Sequence, residues 1–240
     1  MRGINFSEIS NYRSRLGVLL RLPLRAIPAG TVLPVLQGPL RGTKWITGSS
    51  SHGCWLGSYE FQKQRMFDQA LPKGGIVWDL GSNVGFYSLL AARKSRSVLA
   101  VEPLPDNTAF IEQHLQLNRV ANVDILRGAV SDRDGIGRFS PGCDRSTGKI
   151  TDSGAIEVPV FSVRRLLQIY PNPELIKIDV EGAEFEVLHG GIEYLSSRTP
   201  ILFLATHGAT VHKACVELLR DIGYRIESIG TPDELLATAP

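Results

Sequence analysis

The 240-residue chain lacks most features of secreted, membrane-spanning and disulfide-rich proteins. Its three cysteines, Cys54, Cys143 and Cys215, are far apart and form no C-x-x-C pair. An odd, scattered set predicts reduced thiols, with neither a zinc site nor a disulfide framework. No apolar run approaches the roughly 20 residues that span a bilayer. Arginines interrupt the N-terminal apolar residues where a signal peptide would need a continuous run. We therefore expect a cytoplasmic protein.

Several catalytic and binding motifs are also missing. The chain has no G-x-S-x-G element of the kind that carries a hydrolase nucleophile. Residues 142–149 resemble a phosphate-binding loop, but five residues separate the glycines where four are needed, and Ile150 replaces the Ser/Thr that would hold Mg²⁺. No alternation of aromatic and basic residues predicts a nucleic-acid surface, so we expect no nucleic-acid partner.

Positive charge is concentrated at the N-terminus. Residues 1–50 contain seven Arg/Lys and one acid, a net charge of +6, whereas the other 190 residues have a net charge of −4. Residues 12–22 predict a short leucine-bearing helix, and the prolines and glycines up to residue 58 predict irregular chain or a hairpin. This arm either contacts an anionic membrane surface, polyanion or acidic partner, or packs its leucines on the main domain. We place the domain boundary near residue 58, giving an arm and lead-in (1–58) and a main domain (59–240).

The stretch 76–87 predicts a strand, a glycine turn and a helix in succession. It begins with a short apolar run that ends in the carboxylate of Asp79, as in a buried parallel strand. Gly81 can adopt backbone conformations closed to other residues, and Gly85 removes a side chain where ligand or sheet must approach. Such a unit places a nucleotide-like ligand beside the N-terminus of a helix.

A second apolar run, 98–102, ends in Glu102, 23 residues after Asp79. A carboxylate at this strand tip can accept hydrogen bonds from both hydroxyls of a ribose. Asn83 stands where a dinucleotide fingerprint needs glycine, so close approach of a pyrophosphate is not provided for. An adenosyl ligand without phosphates fits better, and S-adenosylmethionine (SAM) is our prediction.

From residue 75 onward, apolar runs alternate with helical patterns, which predicts a mostly parallel α/β sheet. Residues 131–162 interrupt the rhythm with turn signals and predict an antiparallel excursion with a mobile loop. The predicted strands are 76–80, 98–102, 123–128, 175–180, 201–205 and a last strand at 224–229. The predicted helices are 60–71, 85–94, 106–118 and 162–169, one around 185–195 that is broken at Gly190-Gly191, and one around 211–222.

Ligands of open α/β sheets bind beyond the carboxyl ends of the strands. The residues there include Gly128 and Ala129, small enough for an adenine ring to lie flat, and a group of candidate catalytic side chains: Asp179, Glu181, Glu184 and His207. We rank His207 as the base, because an imidazole ordinarily titrates near neutrality, and Asp179 as the group that orients the acceptor or binds a cation. Each could instead serve only as a helix cap or structural residue.

Five segments together resemble the FkbM family of SAM-dependent methyltransferases. They are Asp79–Gly85, Val101-Glu102-Pro103, Asn118 with Asn122-Val123, residues 131–135, and above all the stretch I-K-I-D-V-E-G-A-E at 176–184; the upstream residues 55–60 look like that family's lead-in. The resemblance covers about residues 55–229. Leu104 departs from the polar residue expected after Glu-Pro.

The resemblance implies a class I methyltransferase fold, which is Rossmann-like, with a seven-stranded, mostly parallel sheet, helices on both faces and an antiparallel last pair. It also implies O-methylation of a hydroxyl on a sugar, glycolipid or small metabolite. The alternative is a SAM-binding protein of this fold without transferase activity. We assign no metal ligand and leave open whether a divalent cation joins Asp179. The residues expected to contact the cofactor are Glu60, Asp79, Gly81, Ser82, Asn83, Gly85, Tyr87, Glu102, Pro103, Gly128, Ala129 and Asp179.

Overall fold

The computed structural model describes residues 24, 26–141, 148–150 and 154–239. Within these residues the main sheet has seven strands in the order β12-β13-β11-β10-β3-β4-β5. They are β3 (Ile76–Leu80), β4 (Ser97–Glu102), β5 (Val123–Arg127), β10 (Leu175–Ile178), β11 (Ile201–Ala205), β12 (Arg225–Ile229) and β13 (Thr231–Thr238). The five strands from β11 to β5 are parallel, and β13 runs antiparallel to both β11 and β12. The predicted class I methyltransferase fold is confirmed.

The central strands are apolar because both faces of the sheet are covered by helices. All five residues of β3 are buried, with Val77 facing one core and Trp78 facing the other. One face is covered by α2 (Phe61–Ala70), α3 (Phe86–Ala92) and α4 (Pro105–Asn118). The other face is covered by α5 (Val163–Ile169), α6 (Glu184–Gly190), α7 (Ile192–Arg198) and α8 (Ala209–Asp221).

One prediction about the sheet was wrong: β12 is not the last strand. Gly230, with φ 76°, turns the chain back into β13, which lies between β12 and β11. The segment begins Thr231-Pro232-Asp233-Glu234, whose proline and acids are typical of a loop. Pro232 is tolerated because it lies at the start of the strand.

The predicted excursion forms a separate four-stranded sheet in the order β6-β9-β7-β8. Its strands are β6 (Ala129–Ser131), β7 (Gly135–Pro141), β8 (Gly148–Ile150) and β9 (Ile156–Ser162). Phe139, Val158 and Val160 share a small core with Leu104 beside the main sheet. Most of the loop predicted at 140–154 lies outside the described residues.

The lead-in before residue 58 packs on the main domain where it is described. Strands β1 (Val32–Pro34) and β2 (Lys44–Ile46) form a two-stranded antiparallel sheet, followed by helix α1 (His52–Leu56). Trp45 is fully buried and stacks on His114 with a ring separation of 4.0 Å. The helix predicted at 12–22 and its arginines lie outside the described residues, and the boundary near residue 58 stays a prediction. Among the helices of the described chain, none has the length and apolar character needed to cross a bilayer.

Candidate active site

A cavity of about 230 Å³ opens between the parallel strands β3 and β10, where the order in which strands are added to the sheet reverses. Its walls come from the segments that follow β3, β4, β10 and β11, together with the excursion sheet and residues near Glu60. This switch point is where open α/β sheets bind ligands.

The glycine turn after β3 gives the cavity its shape. Gly81 has φ 77°, and a Cβ at this position would collide with the backbone carbonyl of Asp179, so the turn requires glycine. The N–H groups of Gly81 and Ser82 donate to the carbonyl of Val101 at 2.9 and 3.0 Å. Because the fold already uses these donors, the turn offers a close surface and few free amides, which suits a ligand without phosphates.

Glu102 lies at the tip of β4 and is 5% exposed. Its carboxylate accepts hydrogen bonds from the Asn83 N–H (2.9 Å), the Leu104 N–H (3.1 Å) and Asn107 Nδ2 (3.0 Å). Burial nevertheless raises the pKa of Glu102 to about 7, because desolvation outweighs these donors. The side chain is therefore held in one orientation beside the cavity.

Lys177 lies at the floor of the site, inside an otherwise apolar strand. Its Nζ is 3.1 Å from Asp179 Oδ2 and 3.6 Å from Asp79 Oδ1, and its side chain is 4% exposed. Burial alone would raise the pKa of Asp179, but Lys177 and further cations bring it down to about 2. Asp79 is fully buried, its Oδ2 accepts from Ser88 Oγ at 2.6 Å, and desolvation raises its pKa. Asp79 therefore supports the site from below.

A second charged group supports another part of the cavity wall, where Glu60, Tyr87 and Glu234 line it. Lys63, 3% exposed, contacts Glu234 Oε2 at 2.5 Å and Glu60 Oε2 at 3.4 Å. Tyr87 donates its hydroxyl hydrogen bond to Glu60 Oε2 at 2.6 Å, and the ammonium groups of Lys63 and Lys177 lie 5.5 and 5.2 Å from the centroid of its ring. The wall is thus rich in carboxylates that are fixed by buried cations.

His207 lies two residues beyond β11 and faces three carboxylates. Its Nδ1 is 2.9 Å from Glu184 Oε1, while its Nε2 is 3.8 Å from Asp179 Oδ1 and 3.6 Å from Glu181 Oε2. The hydrogen bond with Glu184 overcomes desolvation and raises the pKa of His207 to about 9. A pKa of about 9 lies above the neutral range expected from the sequence and favours the doubly protonated imidazolium at neutral pH.

The sequence pattern of the "Methyltransferase FkbM domain" matches residues 79–226, more than half of the chain. The chain belongs to the FkbM methyltransferase family.

Individual relatives share only part of their length with this chain. Hexuronic acid methyltransferase AglP from Haloferax volcanii is 27% identical over 161 residues, which cover 65% of this chain and 66% of that protein. Ribosomal RNA small subunit methyltransferase G from Thermobifida fusca is 36% identical over 67 residues, 27% of this chain and 28% of that protein. The crystal structure of Methyltransferase FkbM from Methylobacillus flagellatus KT superposes with a TM-score of 0.53 at 15% identity, covering 79% of this chain and 55% of that one. In each case the chain covers less than two thirds of the relative, and the structural likeness supports the fold.

The structure brings most of the predicted site residues of this member of the FkbM family to one cavity. Those that line it are Glu60, Gly81, Ser82, Asn83, Tyr87, Glu102, Pro103, Gly128, Ala129, Asp179, Glu181 and His207. Three predicted residues do not line it. Asp79 is buried beneath the floor, Gly85 lies against Ile111, and Glu184 is buried behind His207. The cofactor contacts predicted for Asp79 and Gly85, and the catalytic role predicted for Glu184, stay predictions.

Sequence reasoning missed the buried lysines and Glu234. Lys177 had a usable signal, because a lysine inside a buried central strand must pair with nearby acids. Lys63 and Glu234 had none, since each lies in an ordinary amphipathic or loop-like segment far from the motifs.

Proposed function

We propose that this methyltransferase uses SAM and transfers its methyl group to a hydroxyl of a sugar, glycolipid or small metabolite. The observation that carries the cofactor assignment is the buried carboxylate of Glu102 at the tip of β4, held by three donors beside the cavity. In this reading Glu102 accepts from the ribose hydroxyls, and the small residues Gly128 and Ala129, which line the cavity, receive the adenine. A Cβ on Gly128 would collide with Phe161 and Pro159, so the backbone there is already closely packed.

The charge of the cavity suits a cationic cofactor. Glu60, Asp179 and Glu234 line it, and Lys63 and Lys177 hold them in place from buried positions. The methyl group of SAM is carried on a sulfonium, and its amino acid end carries an ammonium. Carboxylates that are already fixed can stabilise both charges without reorganisation.

Methyl transfer from a sulfonium is an in-line displacement. A lone pair of the acceptor oxygen forms the new O–C bond, and the electrons of the broken C–S bond return to sulfur. Alignment of the two reactants supplies most of the rate, and removal of the hydroxyl proton adds roughly 10²–10⁴-fold where a base is positioned. His207 and Asp179 are the proposed acceptor-side groups; His207 can act as a base only after losing its own proton.

The acceptor class rests on a relative together with the cavity. AglP is named for methylation of a hexuronic acid, a sugar derivative rich in hydroxyls. The cavity mouth offers Asp179, Glu181 and His207, which are partly exposed and can accept or donate hydrogen bonds to such hydroxyls. We accordingly propose a cytoplasmic enzyme that modifies a glycan-type acceptor.

The proposal is tested by calorimetry with SAM, followed by a labelled-methyl screen of cellular glycans, lipids and RNA. We expect SAM to bind and label to appear in a glycan or lipid fraction at a position that base treatment does not hydrolyse, as for an ether. Tighter binding of NAD than of SAM would overturn the cofactor assignment. Label in RNA would overturn the glycan-type acceptor and identify RNA as the acceptor. SAM binding without any transfer would favour a SAM-binding protein without transferase activity.

A further inference from the structure

We infer that Asp179, Glu181 and His207 form a binding site for a divalent cation of the Mg²⁺/Mn²⁺ class at the mouth of the cavity. Each residue offers one ligand atom, and the three atoms lie within 4.8 Å of one another. This inference rests on the proposed function for its catalytic role, but not for its geometry.

Glu184 fixes the orientation of the His207 imidazole. Glu184 is fully buried, and its Oε1 lies 2.9 Å from His207 Nδ1 while also accepting from the Gly182 N–H at 2.9 Å. With Nδ1 occupied, Nε2 is the nitrogen that faces the cavity. A carboxylate that holds the far nitrogen of a histidine is the usual second partner of a metal-binding imidazole.

The first carboxylate is fixed in the same way. Asp179 Oδ2 accepts from the buried Lys177 Nζ at 3.1 Å, which leaves Oδ1 directed toward His207 Nε2 at 3.8 Å. Glu181 brings Oε2 to 3.6 Å from the same nitrogen. Two buried supports, Lys177 on β10 and Glu184 at the start of α6, thus orient a carboxylate oxygen and a nitrogen toward one point, at separations too long for good direct hydrogen bonds and suited to a shared cation.

The ligand set indicates the class of cation. Two carboxylate oxygens and one imidazole nitrogen favour a hard or borderline divalent ion over soft metals that prefer sulfur. Such an ion keeps further positions for water or an acceptor oxygen. The three side chains remain 20–36% exposed, so an ion and an acceptor hydroxyl can reach them from solvent.

A cation here would act on the acceptor. A hydroxyl oxygen bound to it loses its proton more readily, and the proton leaves to solvent at the exposed mouth. The oxygen lone pair then forms the bond to the methyl carbon while the C–S electrons return to sulfur. His207 would release its Nε2 proton to solvent when the ion binds and would then serve as a ligand, so no protein base is required for the methyl-transfer step.

The experiment is Mn²⁺ titration of the purified, metal-stripped chain, followed by electron paramagnetic resonance without SAM. We expect one bound Mn²⁺ per chain, competed by Mg²⁺. Glu181→Gln and His207→Gln should each weaken binding by about tenfold or more, on the scale of changes to metal sites. Glu193→Gln is the matched control: this glutamate on α7 is 84% exposed, contacts Arg164 at 3.7 Å and does not line the cavity, so its replacement should leave binding unchanged.

Thermal unfolding identifies any variant that fails to fold, and the other variant then decides. No bound Mn²⁺ up to about 1 mM, the weak end of protein cation sites, would overturn the inference. Binding that both folded variants retain would overturn it as well. SAM calorimetry on the same samples separates the two proposals: SAM binding without Mn²⁺ binding refutes only the cation site, and the reverse refutes only the cofactor assignment.

Discussion

Replacement of Glu102 tests the cofactor site most directly. Glu102→Ala removes the acceptor of both proposed ribose hydrogen bonds, which at the scale of bonds to a charged group costs about 1.5–3 kcal/mol in total. SAM should then bind about 10- to 150-fold more weakly. The alanine variant also removes the carboxylate that accepts from the N–H groups of Asn83 and Leu104 and from Asn107 Nδ2, so its unfolding temperature should fall.

Glu102→Gln is the more conservative companion. It keeps the shape and one acceptor oxygen, so the expected loss of SAM affinity is about tenfold, equivalent to about 1.4 kcal/mol. Calorimetry at 25 °C, with folding checked by circular dichroism, measures both variants. Unchanged SAM affinity in either folded variant would refute the ribose assignment.

The raised pKa of Glu102 adds a pH signature. With a pKa of about 7 in the free protein, the carboxylate form is the minority at pH 6 and the majority at pH 8. If SAM binds the carboxylate form, the contribution of Glu102 should strengthen binding by about tenfold between those pH values. The glutamine variant lacks this contribution, so the difference between the two proteins isolates it from titration of SAM itself. Parallel pH profiles would contradict the mechanism.

The remaining predictions concern the base, stability and the arm. His207→Ala should lower turnover by two or more powers of ten with SAM affinity nearly intact if His207 is the base; near-normal turnover beside an inactive Asp179→Asn would assign that role to the acid. His207 has a folded-state pKa of about 9 against an ordinary value of 6.5, so its contribution to the free energy of unfolding is complete below about pH 6.5 and is lost as pH rises through about 9. When the pH is raised from 6 to 10, the unfolding temperature should therefore fall more for the wild type than for His207→Gln. An equal fall in the two proteins would count against the ion pair. If residues 1–50 contact anionic lipid, the protein should co-sediment with acidic vesicles at low salt and be released by salt, and neutralising Arg13, Arg15, Arg21 and Arg25 should abolish binding without changing SAM affinity; no co-sedimentation would favour the packing alternative.

The sequence predicted the central sheet well because its strands carry an unambiguous physical signal. Residues 201–205 are a continuous apolar run of strand length, residues 76–80 are apolar except for Asp79, and the structure has strands with those bounds. Fully buried parallel strands have no solvent-facing positions. A nearly continuous apolar run therefore identifies such a strand before its pairing partners are known.

The final strand and the charged supports were hidden for a different reason. β13 pairs with strands that precede it, and its proline and acids match a loop until those partners are known. Lys63 and Glu234 acquire their role only when α2 and β13 meet in space. The local sequence pattern predicts which residues are buried and where the chain turns. It does not predict which charged residues far apart in the sequence form ion pairs, because that depends on the tertiary fold.

Asp79 shows a related limit of prediction from the sequence. Its place at the end of β3 predicted a ligand contact, yet its carboxylate is turned toward Ser88 and Lys177 beneath the floor. Position at a strand tip predicts the region of the site. Which side chain reaches the cavity is decided by the alternation of faces and by neighbouring cations.

The placement of β13 bears on how the protein is made. This strand is translated after every other strand of the sheet, yet it occupies the slot between β11 and β12 and carries Glu234, the nearest counter-ion of the buried Lys63. During synthesis the earlier strands can pair, but β11 keeps an unpaired edge and Lys63 lacks that carboxylate until residues 231–238 emerge. Because long-range pairing is slow to form, the nascent chain passes through a stage with an open sheet edge, and the cavity acquires its complete charged wall only when the last strand docks.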